Sequence, residues 1–519
     1  VTASGRDTAT GIGAVEVSES GPVKRWQVDV LPGVSKVRKC YRQSGFAPVS
    51  EFGVHNNSTT NLVRGLYERV LYRVTPEGTR PPPAPSVGAF DTLAPFREAV
   101  CRHLGPGRRY TREAIVGMYT GRLRTVYQRA AESLAVKPLC RADGFVSTFV
   151  KCEKVDFLAK ADPAPRVIQP RSPRYNLEVA RYLKAMEKRL CKAIAEVWGG
   201  PTILKGMNAQ DQAKCIVHAW EEFTDPVAIF FDATRFDQHV SVPALEFEHS
   251  VYLSGFSGKS RDTLAALLKW QLENVGYGRT ADGLVKYIVD GRRMSGDINT
   301  GMGNCLLMCA MMWGFVQQLR VKSRLINNGD DCCLIVERRH LEKITSQAKP
   351  YFLKFGIDMK VDGHSFEVEG IKFCQTSPVH DGTCWTMVRN PVSAMAKDCI
   401  SVLPLCDVRT HAAWAWAVGS GGLAAAGGMP VWHAFYAQLQ KSGNPSNVGK
   451  HGAMQSGLAH LGAGLDRGTN EVTQAARHSF WRAFGILPDV QESLEAHYRT
   501  IPVCPSAGEL PPQHIPSAY

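Results

Sequence analysis

The chain of 519 residues carries 61 Lys+Arg against 48 Asp+Glu, a formal charge of +13 at pH 7, and its 44% apolar content is too high for a disordered polymer. Its length exceeds the roughly 250–300 residues that one hydrophobic core usually covers, so several subdomains are expected. No run of 18 uninterrupted apolar residues occurs, which excludes an obvious transmembrane helix, and the positive excess points to a polyanionic partner, nucleic acid or a membrane surface.

The chain begins at Val1, not Met, and is expected to be a processed product or part of a longer reading frame. Residues 1–20 are small and polar, lack the basic-then-apolar order of a secretory signal, and are expected to be flexible. Fifteen cysteines without any C-x-x-C spacing, two of them adjacent at Cys332 and Cys333, indicate reduced thiols in a cytosolic compartment. Residues 80–87 (RPPPAPSV) form a semi-rigid connector. Between Arg102 and Arg129 seven arginines face only Glu113. Residues 176–198 have apolar positions at helical spacing and predict one amphipathic helix.

Further along, Val227–Phe231 is a short β-favouring run that ends at Asp232, and residues 302–320 predict a buried helix. Residues 324–336 are two β-favouring runs around Asn327-Asn328-Gly329-Asp330-Asp331, the pattern of a tight hairpin. The last third alternates helical stretches with glycine-rich breaks, notably residues 419–430 (GSGGLAAAGGMP). Helices mixed with short strands in this order predict an α+β fold, not a β-α-β repeat.

Three segments carry chemistry. Asp232 closes a strand, where a carboxylate can hold a metal, although by itself it also reads as a helix cap. Asp330 and Asp331 follow the hairpin glycine; Asn-Gly-Asp is ordinary turn chemistry, yet two like charges between buried apolar runs cost free energy unless cations compensate. Hard oxygen donors of this kind suit Mg²⁺ or Mn²⁺. The polar loop Ser295–Asn304 leads into the buried helix, with Asn299 or Thr300 as a simple cap in the alternative reading. Strand-end Asp, polar loop and hairpin Asp-Asp follow the order of metal, sugar and metal sites in template-directed polymerases, where Asp232 and Asp330 would bridge two ions.

With these segments, FGVHNNS (52–58), YTGRLRTVYQRAAESL (119–134), KCEKVDFLAKADPAPRVIQPRSPRYN (151–176), YFLKFGIDMK (351–360) and GIKFCQ (370–375) make eight ordered matches. The chain therefore resembles the RNA-dependent RNA polymerases of positive-strand RNA viruses, in particular the tombusvirus type with its umbravirus relatives. The resemblance implies a right-hand fold: an extension over 1–50, fingers over 51–225 and 243–293, a palm over 226–242 and 294–375, and a thumb over 376–519. It implies a metal site of Asp232, Asp330 and Asp331 taking two Mg²⁺ ions, with Mn²⁺ as substitute. Asp237 and Asn304 would read the ribose 2′-OH, which both donates and accepts, with Ser295, Gly296 and Thr300 beside them. Lys151, Lys154, Lys160 and Arg166 would contact the triphosphate, and either Lys354 or Lys360 would be the general acid. RNA contacts would come from Arg122, Arg124, Arg174 and the turn residues Cys374 and Gln375. Trp385, Trp414, Trp416 and Trp432 are read as core or as a stacking platform.

The implied partners are RNA template and product, NTPs and a viral auxiliary replication protein that recruits the chain to host membranes. The implied place is the host cytoplasm at membrane-associated replication complexes, and initiation is expected without a primer. Val1 would then follow an upstream segment made by frameshift or readthrough. The alternatives are a reverse transcriptase or DNA polymerase with the same palm, and a basic RNA-binding replicase subunit without catalysis.

Overall fold

The run Val227–Phe231 shows no alternation because both of its faces are covered. In the computed structural model, which describes all residues except 1, 12–16, 18–20, 44–45, 47, 49, 406, 446–456 and 504–519, it belongs to the strand Pro226–Ala233. Val227, Ile229 and Phe231 enter one core, while Ala228 and Phe230 enter another. The same division explains the adjacent cysteines: Cys332 points into the first core and Cys333 into the second, as successive strand residues must. Thirteen described cysteines are free thiols.

Four strands form the central antiparallel sheet, in the order Ser323–Asn328, Asp331–Glu337, Pro226–Ala233, Met359–Ser365. The predicted hairpin is present, with Asn328 opposite Asp331 and only Gly329-Asp330 between the strands. The predicted buried helix spans Thr300–Leu319 and covers one face of the sheet. The other face is covered by the helix Ala209–Glu221 and by the hairpin Thr376–His380/Trp385–Arg389.

The structure corrects three expectations. Residues 176–198 belong to two helices, Pro173–Leu183 and Glu187–Trp198, separated by a turn in which the Met186 amide donates to the Leu183 carbonyl. The glycine-rich run from Gly419 is helical, inside Val408–Ala426, until Gly427. A Cβ at Gly422 would overlap the Tyr436 ring and one at Gly419 the Gln440 backbone, so these glycines let the helix Trp432–Lys441 approach closely. The N-terminal residues are not all loose: Thr2–Ser4 pairs with Lys39–Arg42, which pairs with Ile400–Ser401. Asp162 then accepts from the amides of Ala9 and Thr10, and Asp7 from the Ser58 hydroxyl. Polarity misled because the segment is held by backbone pairing and not by an apolar face.

A second sheet joins Val23–Val30, Gly283–Asp290, Glu273–Arg279 and Val146–Ser147. The C-terminal helices gather around a separate core that includes Trp414, Trp432 and Phe480, and also Phe46. No helix among the described residues is long and apolar enough to cross a membrane.

Candidate active site

Across the central sheet the register places Asp331 opposite Asp232 on one side and Lys360 opposite Asp232 on the other. Asp330 sits at the hairpin tip, one residue after Gly329, whose φ of +91° is a conformation that side chains rarely adopt. The tip is braced by a residue that sequence reasoning passed over. Buried Asn327 donates from Nδ2 to the Gly329 carbonyl (2.7 Å) and accepts the Gly329 amide at Oδ1 (3.1 Å). Asp232 lies within a strand, which removes its helix-cap reading.

Like charges directly opposite on neighbouring strands destabilise a sheet. Burial raises the Asp232 carboxyl, Asp330 and Asp362 raise it further, and Lys360 and Lys160 oppose the rise. Asp331 is raised by burial and then by Asp330. Such crowding of oxygen donors fits a hard divalent cation, which would relieve it. Among the described residues no three His, Cys, Asp or Glu side chains stand close enough to hold a metal ion; Asp232 and Asp330 line one cleft, and Asp331 does not line it.

That cleft, about 480 Å³, is lined by Lys151, Arg166, Asp232, Asp237, Ser295, Thr300, Asn304 and Asp330 of the predicted residues. Asn304 Nδ2 donates to Asp237 Oδ1 at 2.8 Å, and Asn304 Oδ1 accepts from Arg293 Nε at 2.9 Å. Arg293 is fully buried and paired with Glu248, which also accepts from Asn299 Nδ2 at 2.8 Å. Asn299 is therefore spent on Glu248 and does not cap the helix. Burial raises the Asp237 carboxyl, with the Asn304 bond as the main opposition. Glu248 and Arg293 were missed; the signal was an acid in the apolar helix Val242–Ser254 and an Arg-Arg pair before the polar loop.

The loop itself is seated by Ser295 Oγ on the Val167 carbonyl (3.0 Å) and Thr300 Oγ1 on the Met294 carbonyl (2.8 Å). A Cβ at Gly296 would overlap Pro170, so only glycine permits this approach. Beneath, buried Arg171 pairs with Asp297.

The same cleft is also lined by cations. Lys151 and Arg166 flank Glu153, at 2.9 and 3.4 Å. Arg69 and Arg235 also line the cleft and were not foreseen. Arg69 lies on the π-helical turn Tyr67–Leu71 and donates to the Ala164 carbonyl at 2.9 Å. Burial pushes its guanidinium down to about 10, and repulsion from Arg235 and Arg166 adds to this. Cations gathered against their own repulsion mark a place for an anion.

Other predicted residues lie elsewhere. Lys154 turns away from the cleft and donates to the Lys397 carbonyl (2.8 Å). Lys160 is exposed and does not line the cleft, although its charge is felt at Asp232. Lys354 lies by a different groove, beside Ser86 and Tyr351, so of the two lysines only Lys360 adjoins Asp232. Arg174 is paired with Asp143 (2.9 Å) and donates to the carbonyls of Lys137 and Pro138. Arg122 and Arg124 are exposed on the helix Gly121–Val136. Cys374 and Gln375 form a turn at φ +50° and +62°, and Asn328 Nδ2 reaches Cys374 Sγ at 3.2 Å, so this turn abuts the hairpin. Trp414 and Trp432 are core, whereas Trp385 and Trp416 are half-buried.

Asp232 and Asp330, the cations Arg69, Lys151, Arg166 and Arg235, and the Asp237–Asn304 pair thus line one cleft at an end of the central sheet. The chain belongs to the viral RNA dependent RNA polymerase family, whose model it matches over residues 26–504. It is 44% identical over 474 residues to the RNA-directed RNA polymerase of Turnip crinkle virus, covering 90% of this chain and 60% of that protein. The corresponding protein of Maize chlorotic mottle virus (isolate United States/Kansas/1987) is 43% identical over 470 residues, 90% of this chain and 48% of its own length. That of Tobacco necrosis virus (strain A) is 43% identical over 466 residues, 90% of this chain and 64% of its own length. The chain thus spans about half to two thirds of these relatives.

Proposed function

We propose that the chain carries out template-directed RNA synthesis on an RNA template, transferring a nucleoside monophosphate from an NTP to the 3′-OH of the growing strand. One observation carries the reading: Asp232 and Asp330 share a single cleft with the Asp237–Asn304 pair and with Arg69, Lys151, Arg166 and Arg235. The cations bind the triphosphate, and Arg contributes forked geometry where Lys contributes a point charge. Asp237 and Asn304 accept from and donate to the ribose 2′-OH, which favours NTP over dNTP. Lys360, opposite Asp232, delivers the proton that pyrophosphate needs on leaving. Asp232 and Asp330, with Asp331 opposite Asp232, would hold Mg²⁺ or Mn²⁺, which would supply Lewis-acid stabilisation of the attacking and leaving oxygens.

In this reading the arrangement is a right hand. The central sheet is the palm (226–242 and 294–375), residues 51–225 and 243–293 the fingers, and residues from 376 the thumb. Exposed Arg122 and Arg124 lie on a template-entry surface that binds phosphates without reading sequence. The replication of a positive-strand genome from primer-free starts, at host membranes reached through an auxiliary viral protein, belongs to the same proposal. Primed and unprimed RNA templates offered to the purified chain with NTPs or dNTPs, in Mg²⁺ or Mn²⁺, test it. Incorporation of NTPs is expected; preference for dNTPs, or no incorporation with either ion, overturns it.

A further inference from the structure

Lys154 lies three residues after Lys151 in a loop whose other end is tied back, the Lys151 amide donating to the Arg166 carbonyl at 2.8 Å. Lys151 and Arg166 face the cleft, but Lys154 reaches the opposite way, into the C-terminal helical body. Its acceptor, the Lys397 carbonyl, is in the last turn of the helix Pro391–Asp398. The Cys399 amide also reaches this carbonyl, and last-turn carbonyls form the negative end of the helix dipole, so an ammonium is a natural cap. Asp398 comes next. Its carboxylate accepts from Arg389 (3.1 Å) and from the Tyr436 hydroxyl (2.6 Å), and Tyr436 stacks on Trp432 with ring centroids 5.0 Å apart. Burial pushes the Lys154 ammonium down, and Asp398 is the main charge that offsets this.

The same seam receives two further ties. The Gln43 amide donates to the Cys399 carbonyl at 2.9 Å, and Ile400–Ser401 pairs with Tyr41 and Arg42. Half-buried Lys154 thus meets the C-terminal body at the Lys397 carbonyl, beside this polar network, and does not line the cleft. We propose that Lys154 is a positioning residue, a latch that holds the helix Pro391–Asp398 against the loop carrying Lys151, and not a ligand of the triphosphate. Through it, the placement of the C-terminal body and the aim of the cleft cations become one conformational variable. Releasing the latch loosens the contact between that helix and the loop carrying Lys151. The kinetic part of this inference rests on the polymerase reading; the conformational part does not.

The experiment compares the whole chain with Lys154→Met, Lys154→Arg and Lys151→Met. Amide exchange is read first, at residues 397–401 in protein without RNA. Loss of one charge-assisted hydrogen bond is expected to speed exchange there at least ~threefold in Lys154→Met, with recovery in Lys154→Arg, whose guanidinium can donate to the same carbonyl. Dissociation from primed RNA into a heparin trap is expected to quicken by a similar factor. KM for NTP is expected to rise less than ~threefold in Lys154→Met but ~tenfold or more in Lys151→Met. Unchanged exchange at 397–401 overturns the latch. So does a KM rise in Lys154→Met as large as that in Lys151→Met with RNA dissociation unchanged, which would make Lys154 a phosphate ligand. Should Lys154→Met not fold, Lys154→Gln keeps a donor and is read by the same exchange measurement. If no variant incorporates nucleotides, the polymerase reading fails while the exchange result still decides the latch.

Discussion

Asn304 stands between Asp237 and Arg293 with its amide orientation decided by both: the Nδ2 hydrogens serve Asp237 Oδ1 at 2.8 Å and the oxygen takes Arg293 Nε at 2.9 Å. Arg293 has no acceptor atom and Asp237, when ionised, no donor, so the amide cannot turn around without losing both bonds. Glu248, fully buried, pins Arg293 in turn. The Asp237–Asn304 pair is thus held in place by Arg293 and Glu248.

Replacing Asp237 by Ala removes the acceptor from this pair. NTP-over-dNTP selectivity is expected to fall by about one to two orders of magnitude, the equivalent of roughly 1–3 kcal/mol for an unpaired polar group. Competing incorporation of NTP and dNTP on one template measures it; unchanged selectivity would separate Asp237 from the sugar.

Asp330→Asn keeps the size and turn conformation of the hairpin tip but removes a charge. Incorporation is expected to fall by ~10³-fold or more, because several kcal/mol of charge stabilisation are lost, with RNA affinity within about twofold. Filter binding alongside single-turnover kinetics checks both. Substantial residual turnover would take Asp330 out of the metal site.

Arg69 tests the cleft cations without touching the sequence motifs. Arg69→Ala is expected to raise KM for NTP about tenfold or more while changing kcat less, since charge-assisted bonds are worth about 1.5–3 kcal/mol. Arg69→Lys should recover part of the loss, as a point charge without the fork. A fall in kcat alone, at constant KM, would argue against a ground-state phosphate contact.

Stability at low pH should depend on Asp282. Burial raises its carboxyl, but hydrogen bonds from Ser35, Thr280 and Thr59 outweigh this and hold it at about 2. A folded value below the unfolded value of about 3.9 means that the stabilisation is full above pH ~4 and is lost as pH falls through about 2. The difference in denaturant midpoint between the parent chain and Asp282→Asn should therefore be constant from pH 7 to 5 and shrink from ~4 downward. A difference that does not vary with pH would show that Asp282 contributes only as a hydrogen-bond acceptor.

Local chemistry was legible in the sequence. A two-residue turn needs a residue that tolerates positive φ, so Asn327-Asn328-Gly329-Asp330-Asp331 announced its hairpin, and the apolar runs on either side announced strands buried on both faces. Asp232 and Asp330 were found from residue type and order, Asp237, Asn304, Lys151 and Arg166 from the family resemblance, and the fold brings all six to one cleft. Choices that depend on distant partners were not legible. Whether Lys154 faces the cleft or the helix Pro391–Asp398 depends on a carbonyl 243 residues away. Whether Lys354 or Lys360 adjoins Asp232 depends on strand register. Arg69 joins the cleft only once the turn Tyr67–Leu71 packs beside the helix Phe236–His239. Glycines at 419–422 read as a break until Tyr436 and Gln440 occupy the space that their missing side chains leave. Composition, turn chemistry and periodicity are properties of neighbours in the chain, and they determined which groups this protein has for its chemistry; direction, pairing and burial arise between residues far apart in sequence, and only the packed structure decided which of those groups meet.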